Sequence, residues 1–270
     1  MKKLIIPFLL VVTILAYSHY VRLSHGQLHI HFLDIGQGDS ILIQTPSNKL
    51  ILIDGGGGSE ILSELNDILP FLQKKIDLMI LTHPHADHIE GLVPVLKRYQ
   101  VKTALITGAS YHNSYYEEFL HDLQNEAQIY YAHEGADFDF GGGVFLDVLY
   151  PFQPVIGEYF ENINNSSIVT RITYEDAEIL LAGDAEAEVE EELLEHGIIL
   201  DSDLFKASHH GSKTANSREF LEAVSPETVV IQVGEGNSFG HPHQETLSAL
   251  EEIGATVYRN DLDGRVEVVY

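Results

Sequence analysis

Short apolar runs rich in Ile, Leu and Val recur along the chain from about residue 28, and they set its predicted strands. They lie at 28–34, 40–44, 50–54, 78–82 and 104–107, then at 144–149, 168–173, 178–182, 204–207, 229–233, 256–258 and 266–269. Between them, apolar positions return at helical spacing near 60–73, 90–98, 115–125, 186–196, 217–223 and 244–253. Runs such as Leu78-Met79-Ile80-Leu81 have no polar face, as expected of strands covered on both sides. The mixture predicts two packed sheets with helices outside, each half sending strand-end loops to a shared edge. The stretch 141–165, rich in Gly, Pro and aromatic residues, reads as a long loop over that edge. No internal repeat or low-complexity linker interrupts the pattern.

The 270 residues can bury one substantial core, which we assign to a single domain over 27–270. Residues 1–26 differ in character: Met1-Lys2-Lys3 precedes a run to Tyr17 that is apolar apart from Pro7 and Thr13. A basic start and a short apolar core predict a signal peptide or, extended to Val21, an N-terminal membrane anchor. Either would place the domain outside the cytoplasm as an exported protein, secreted or held at the membrane's outer face. Membrane contact is expected only through this segment, and no protein partner is indicated. Cysteine is absent, which excludes disulfides, thiol catalysis and thiolate ligands. The formal net charge is −26, and residues 1–26 carry three bases and no acid, leaving 12 bases against 41 acids in the remainder. Such a field opposes the long phosphate-tracking footprint of a surface that binds duplex DNA. Part of the acid lies in a run over 186–192, read as a solvated helix face.

Against this background Thr82-His83-Pro84-His85-Ala86-Asp87-His88 concentrates three imidazoles and a carboxylate at a strand end. These are the donors that zinc and manganese take. Residues two apart in extended chain project to one side, so His83 and His85 can aim at one point, while Asp87 and His88 face a second. Gly183-Asp184 follows another apolar strand, and a carboxylate with two oxygens can bridge two cations. Ser208-His209-His210-Gly211 and Gly240-His241-Pro242-His243 add imidazoles at further strand ends. Two metals held side by side are a device for hydrolysis.

The pattern His83-x-His85-x-Asp87-His88, followed by Gly183-Asp184 and His209, resembles the metallo-β-lactamase fold superfamily. Phe32 to Ser40, Asn164-Asn165-Ser166-Ser167 and His209 to Thr214 resemble the branch that includes the C-terminal domain of ComEC, the DNA-uptake channel protein; phosphorylcholine esterases are similar in the same segments. The likeness runs from about residue 28 to the C-terminus, without the ComEC membrane channel. It implies an α+β fold, the four-layer αββα sandwich, and two divalent metal ions, Zn²⁺ or Mn²⁺. In that frame His83 and His85 would ligate the first ion, Asp87 and His88 the second, and Asp184 would bridge. One of His209 and His210 would complete the second site; His209 is preferred, because elsewhere a single histidine follows a small residue there. His210 would then touch substrate or protonate the leaving group. Many relatives carry a further histidine ligand where this chain has Asn164 to Ser167, which leaves room for water or a substrate oxygen. Asn164, Asn165 and Ser167 are accordingly expected to bind a phosphate. Asp54 would orient the metal-binding loop, and Asp34, Gln37 and Asp39 either stabilise their turn or contact substrate. His241 is expected at the rim, with His243 there or at a helix start. Histidines 19, 25, 29, 31, 112, 121, 133 and 196 show no ligand spacing and are read as surface or packed residues.

The resemblance implies a metal-dependent hydrolase, and we expect a phosphodiesterase or nuclease working through metal-activated hydroxide. Asp87 would orient the water and accept its proton, and His210 or His241 would donate to the departing alkoxide. The substrate would be a phosphate ester: DNA, towards which the resemblance leans, or a smaller ester, towards which the charge leans. Hydrolysis of an acyl ester, lactone or β-lactam, and a non-catalytic surface metal-binding protein, are the alternatives.

Overall fold

Side chains along the strands alternate between a layer shared by two sheets and a layer under helices, so each sheet has one face turned to the other. The computed structural model describes residues 20–270 together with Pro7, Val12, Thr13, Ala16 and Tyr17. More than half of the expected leader lies outside the described residues, among which no helix is long and apolar enough to cross a membrane.

The first sheet contains β1 (His29–Phe32), β2 (Ile41–Gln44), β3 (Leu50–Ile53), β4 (Lys75–Leu81), β5 (Gln100–Ile106), β6 (Gln128–Tyr131) and β14 (Val266–Val269), in the order β14-β1-β2-β3-β4-β5-β6. The second contains β7 (Phe138–Gly141), β8 (Val144–Tyr150), β9 (Val169–Tyr174), β10 (Ala177–Leu181), β11 (Leu204–Lys206), β12 (Thr228–Ile231) and β13 (Thr256–Arg259), in the order β13-β12-β11-β10-β9-β8-β7. Strands β6 and β7 carry half-exposed aromatics where continuous burial would be the cue, and neither was expected from the pattern.

Ile30, Phe32, Ile43, Ile53 and Ile80 from one sheet meet Val148, Ile172, Ile179 and Val230 from the other in an apolar layer between them. The outer face of the first sheet is covered by α1 (Glu60–Ile68), α3 (Leu92–Leu96) and α4 (Ser114–Glu126), through residues such as Leu65, Val95 and Phe119. The outer face of the second is covered by α5 (Ala187–Glu195), α6 (Arg218–Val224) and α7 (Gln244–Glu252), through Val189, Phe220 and Leu250. The layers are therefore αββα, as expected. Two short helices, α2 (Ala86–Ile89) and α8 (Asn260–Asp263), sit at strand ends.

The topology decides where the chemistry gathers. Strands β3, β4 and β5 run parallel, as do β10, β11, β12 and β13. Parallel strands finish on one edge, so the segments after β3, β4, β10, β11 and β12 meet there. These are the segments that contain Asp54, His83 to His88, Asp184, His209-His210 and Gln232.

Candidate metal centre

Each ligand loop at this edge is fixed by its neighbours before it presents a side chain. The β3 end turns at Asp54 in the left-handed region, φ 57°. Its carboxylate accepts from the Thr82 amide at 2.8 Å and the Thr82 hydroxyl at 2.6 Å. It also accepts from His88 Nδ1 at 2.8 Å, so Asp54 orients the loop as expected. The Asp39 amide donates to the Asp87 carbonyl at 3.2 Å, and at Gly38, φ 120°, a Cβ would collide with that carbonyl. Only glycine allows the 34–40 loop to lie on Asp87.

His209 and His210 both occupy the left-handed region, φ 45° and 53°, at a cost of about 1–3 kcal/mol each. Asn216 over-determines that turn. Its side-chain oxygen accepts from the Ser208 amide at 2.9 Å, and its nitrogen donates to the carbonyls of Ser208 at 2.9 Å and Ser212 at 3.2 Å. Glu190 in turn accepts from the amides of Asn216 at 2.6 Å and Ser217 at 2.8 Å. The run over 186–192 is therefore not wholly a solvated face: Glu186 and Glu190 are buried, with 6% and 1% of their surface exposed.

The ligands converge on one atom, Asp184 Oδ2. His88 Nε2 stands 3.2 Å from it, His210 Nε2 3.3 Å, His209 Nε2 3.9 Å and His83 Nε2 4.0 Å. Asp87 Oδ2 lies 3.3 Å from His210 Nε2. Asp87, His88, Asp184 and His210 form one cluster with donor atoms mutually within 4.8 Å. His85 packs edge to face on His83 with ring centroids 4.9 Å apart, next to this cluster.

Divalent cations, which the fold family implies, fit these residues. His83 Nδ1 faces the hydroxyls of Thr82 and Ser167 at 3.2 and 3.3 Å, and His88 Nδ1 is committed to Asp54. His210 Nδ1 faces the Gln232 carbonyl at 2.9 Å. The Nε2 atoms of all three are buried without a hydrogen-bond partner. Rings held at one nitrogen and bare at the other are how protein imidazoles meet a metal.

Charge agrees. Burial opposes ionising His88 and His210, but Asp184 with Asp54, and Asp184 with Asp39, raise both pKa values well above the ordinary imidazole value. Burial favours neutral Asp184 and Asp87, yet His210 and His88 hold both below the usual carboxylate range. Protons on these Nε2 atoms are what a divalent ion displaces. Burial and the positive His88 keep His83 and His85 neutral and ready to bind.

Asp184 Oδ1 points away from the cluster, 3.6 Å from Lys206 Nζ. Lys206 is fully buried, donates to the Gly183 carbonyl at 2.9 Å and pairs with Asp39. Burial alone would discharge it, but Asp39 and Asp184 hold its pKa above the ordinary lysine value. It therefore occupies one oxygen of Asp184 and leaves the other for the cluster. Breaking such a buried pair costs about 3–5 kcal/mol.

Several expected roles move. Between the two adjacent histidines, the geometry places His210, rather than His209, with Asp87, His88 and Asp184. Two consecutive left-handed residues send one ring inward and the other to the rim. His209 has a side chain 22% exposed and Nδ1 3.0 Å from Glu186 Oε1, an acid whose role the sequence did not reveal. Burial favours neutral Glu186, but His209, Thr214 and Asn164 bring its pKa down to about 2.

Ser167 faces inward, fully buried, and accepts from the Asp184 amide at 3.2 Å, so it positions ligands rather than meeting phosphate. Asn165 Oδ1 accepts from the Glu186 amide at 3.2 Å, and Asn164 donates to Glu186 at 3.1 Å. Asp34 is exposed, whereas Gln37 accepts from the Gly234 amide at 3.2 Å and ties two loops together. His241 stands at the rim with its ring 5.2 Å from His209; burial and the neighbouring His209 hold its pKa down to about 4. His243 precedes α7 and accepts from the Lys213 amide at 3.2 Å. Within the 141–165 segment β8 forms where a strand was expected, and the loop is confined to residues 151–162, closed by a 3₁₀ turn at Ile163–Ser166.

Two sheets between helices, with imidazoles and acids at their common edge, define a metallo-hydrolase scaffold. The family model of the metallo-beta-lactamase superfamily matches residues 33–235, and the chain belongs to that superfamily. Among curated proteins, it is 30% identical over 264 residues to ComE operon protein 3 of Bacillus subtilis, covering 92% of this chain and 33% of that protein. It is 29% identical over 267 residues to Recombination protein 2 of Haemophilus influenzae, covering 96% and 31%, and 29% identical over 239 residues to Competence protein ComA of Neisseria gonorrhoeae, covering 87% and 31%. The chain thus spans about a third of the length of the curated relatives it matches. These relatives agree with the resemblance to ComEC read from the motifs.

Two solved structures share the fold. YhfI, a metallo-beta-lactamase fold protein from Bacillus subtilis, matches with TM-score 0.58 and 15% identity over 89% of this chain and all of that one. Igni18, a metallo hydrolase from Ignicoccus hospitalis, matches with TM-score 0.56 and 15% identity over 90% and 98%.

Proposed function

We propose that this chain is a metal-dependent phosphodiesterase. The observation that carries the reading is the convergence of buried, partnerless Nε2 atoms and two carboxylates around Asp184 Oδ2. Similarity to competence and recombination proteins supports a phosphate ester over an acyl substrate. Asp87, His88, Asp184 and His210 would hold one divalent ion, Zn²⁺ or Mn²⁺, and His83 and His85 a second beside it. When bound, such ions lower the pKa of water and neutralise charge on phosphoryl oxygens.

The protein's own groups then divide the work. Asp87, held ionised, accepts a proton at Oδ2. His210 is held at Nδ1 by the Gln232 carbonyl, with Nε2 turned to the cluster, and stays a ligand. His209 is partly exposed, backed by Glu186 and 3.9 Å from Asp184, so its Nε2 is the group set to protonate a departing alkoxide. His241, with its pKa held down to about 4, is uncharged at neutral pH and serves as a hydrogen-bond partner at the rim. The excess of acids favours a short or small phosphodiester over long duplex DNA. Export through residues 1–26 completes the reading, and would be checked by finding the protein in the extracytoplasmic fraction.

The test is a comparison of bis(p-nitrophenyl) phosphate and single-stranded DNA with p-nitrophenyl acetate and a chromogenic β-lactam, with and without chelator. Phosphodiester turnover that chelator abolishes and Mn²⁺ or Zn²⁺ restores is the expected result. Preferential turnover of the acyl substrates, or none on any substrate after metal loading, would overturn the proposal.

A further inference from the structure

A second set of metal donors lies on the helix-covered face of the first sheet, on edge strand β14 and its neighbour β1. His29 and His31 alternate with the inward Ile30 and Phe32 and so share the outer face of β1. Glu267 on β14 is paired directly with His31, and Gln44 on β2 with His29. His29 Nδ1 lies 2.7 Å from Glu267 Oε1 and His31 Nδ1 3.8 Å from the same oxygen. The three donor atoms lie mutually within 4.8 Å.

Hydrogen bonds commit the Nε2 atom of each ring. His29 Nε2 faces the Ser24 carbonyl at 3.2 Å, an oxygen that can only accept, so that nitrogen carries its proton. His31 Nε2 meets Gln44 Oε1 at 3.2 Å, and Gln44 spends its amide nitrogen on the Arg22 carbonyl at 3.4 Å, so the glutamine oxygen is likewise the acceptor. Both Nδ1 atoms point at the same carboxylate oxygen, His29 Nδ1 within hydrogen-bond distance of it and His31 Nδ1 beyond it. His31 is only 5% exposed, its Nδ1 has no hydrogen-bond partner, and burial disfavours charging it. A cation among the three groups would satisfy the buried, unpartnered His31 Nδ1 and take the place of a proton between His29 and Glu267. The nearby Arg265 is turned to Glu64 at 3.1 Å.

We propose that His29, His31 and Glu267 form a second, structural zinc site, separate from the hydrolytic edge. Two imidazoles and one carboxylate are a zinc donor set, with the remaining position filled by water. An adjoining cavity of about 180 Å³, bounded by Leu23, Gln44 and Ile68, has room for it. The Ser24 carbonyl and Gln44 are the oxygen acceptors that orient zinc-bound imidazoles. The ion would clip the first strand to the last and pin the segment at Arg22 to Ser24 to both. The site was illegible in sequence, because its carboxylate is more than two hundred residues from its histidines.

The test is Zn²⁺ stoichiometry of the full chain after equilibrium dialysis, measured beside thermal melting. The His29→Gln/Glu267→Gln double variant, and separately His31→Gln, are expected to bind one Zn²⁺ fewer than wild type. Both should keep wild-type phosphodiester turnover, and both should lose the part of the zinc-induced rise in Tm that comes from this site. Equal zinc stoichiometry in wild type and in both variants would overturn the proposal, leaving a proton shared between His29 and Glu267 in its place. The readout is bound metal rather than turnover, so it stands whether or not the phosphodiesterase reading does.

Discussion

His209 and His210 are neighbours with different surroundings, and this assigns them different work. His210 is buried, held at Nδ1 by the Gln232 carbonyl with Nε2 turned to the cluster; His209 faces the rim with Glu186 behind it. His209→Ala is therefore expected to retain bound metal while lowering kcat about 10²–10⁴-fold on a phosphodiester with a poor alkoxide leaving group. Bis(p-nitrophenyl) phosphate, whose leaving group needs no proton, should be largely spared. Loss of metal in this variant would instead make His209 a ligand. His241 offers a pH prediction. Its folded pKa of about 4 lies below the ordinary 6.5, so the unfolded chain binds the extra proton between those values. Its contribution to stability is therefore present above pH 6.5 and fades as pH falls towards 4. The ring protons of His241 should titrate in NMR near pH 4; a midpoint near 6.5 would contradict the burial argument.

The strand-end loops work as a laced unit, and Gly38 shows how closely. Gly38→Ala places a Cβ against the Asp87 carbonyl in a backbone conformation that L residues rarely adopt. It should displace Asp87, weaken metal binding tenfold or more by isothermal titration and lower stability by about 1–3 kcal/mol. Unchanged affinity would show that the loops are not coupled. At this scale the sequence was informative wherever pattern and chemistry are local. Continuous apolar runs marked twelve of the strands, helical spacing marked the long helices, and the Thr82 to His88 run marked the candidate ligands that follow β4. What escaped was set by tertiary contact. Lys206 reads as an ordinary charge ending a strand until Asp39 and Asp184 close on it. Glu186 and Glu190 read as part of an acidic surface until His209 and the 216–217 amides meet them. The division of labour between adjacent histidines depends on two φ angles that no spacing encodes.

Over the whole molecule, 41 acids against 15 bases make a surface that repels polyanions, while the metal centre would be locally positive. Salt should therefore act oppositely to its usual effect on nucleases. Between about 50 and 200 mM salt, kcat/KM on an oligonucleotide should rise as repulsion is screened, while that on bis(p-nitrophenyl) phosphate stays nearly flat. A steep fall on the oligonucleotide would reveal a basic groove that this charge distribution does not provide. Two sheets and their helices, stacked in four layers, exist in this account to bring five strand-end segments to one edge where a cation belongs. The most direct test is anomalous diffraction from crystals of the chain grown with Mn²⁺. An anomalous peak is expected within about 2.0–2.3 Å of Asp184 Oδ2 and the Nε2 atoms of His88 and His210, lost in Asp184→Asn. A fully loaded crystal with no peak there, or an unchanged peak in that variant, would contradict it.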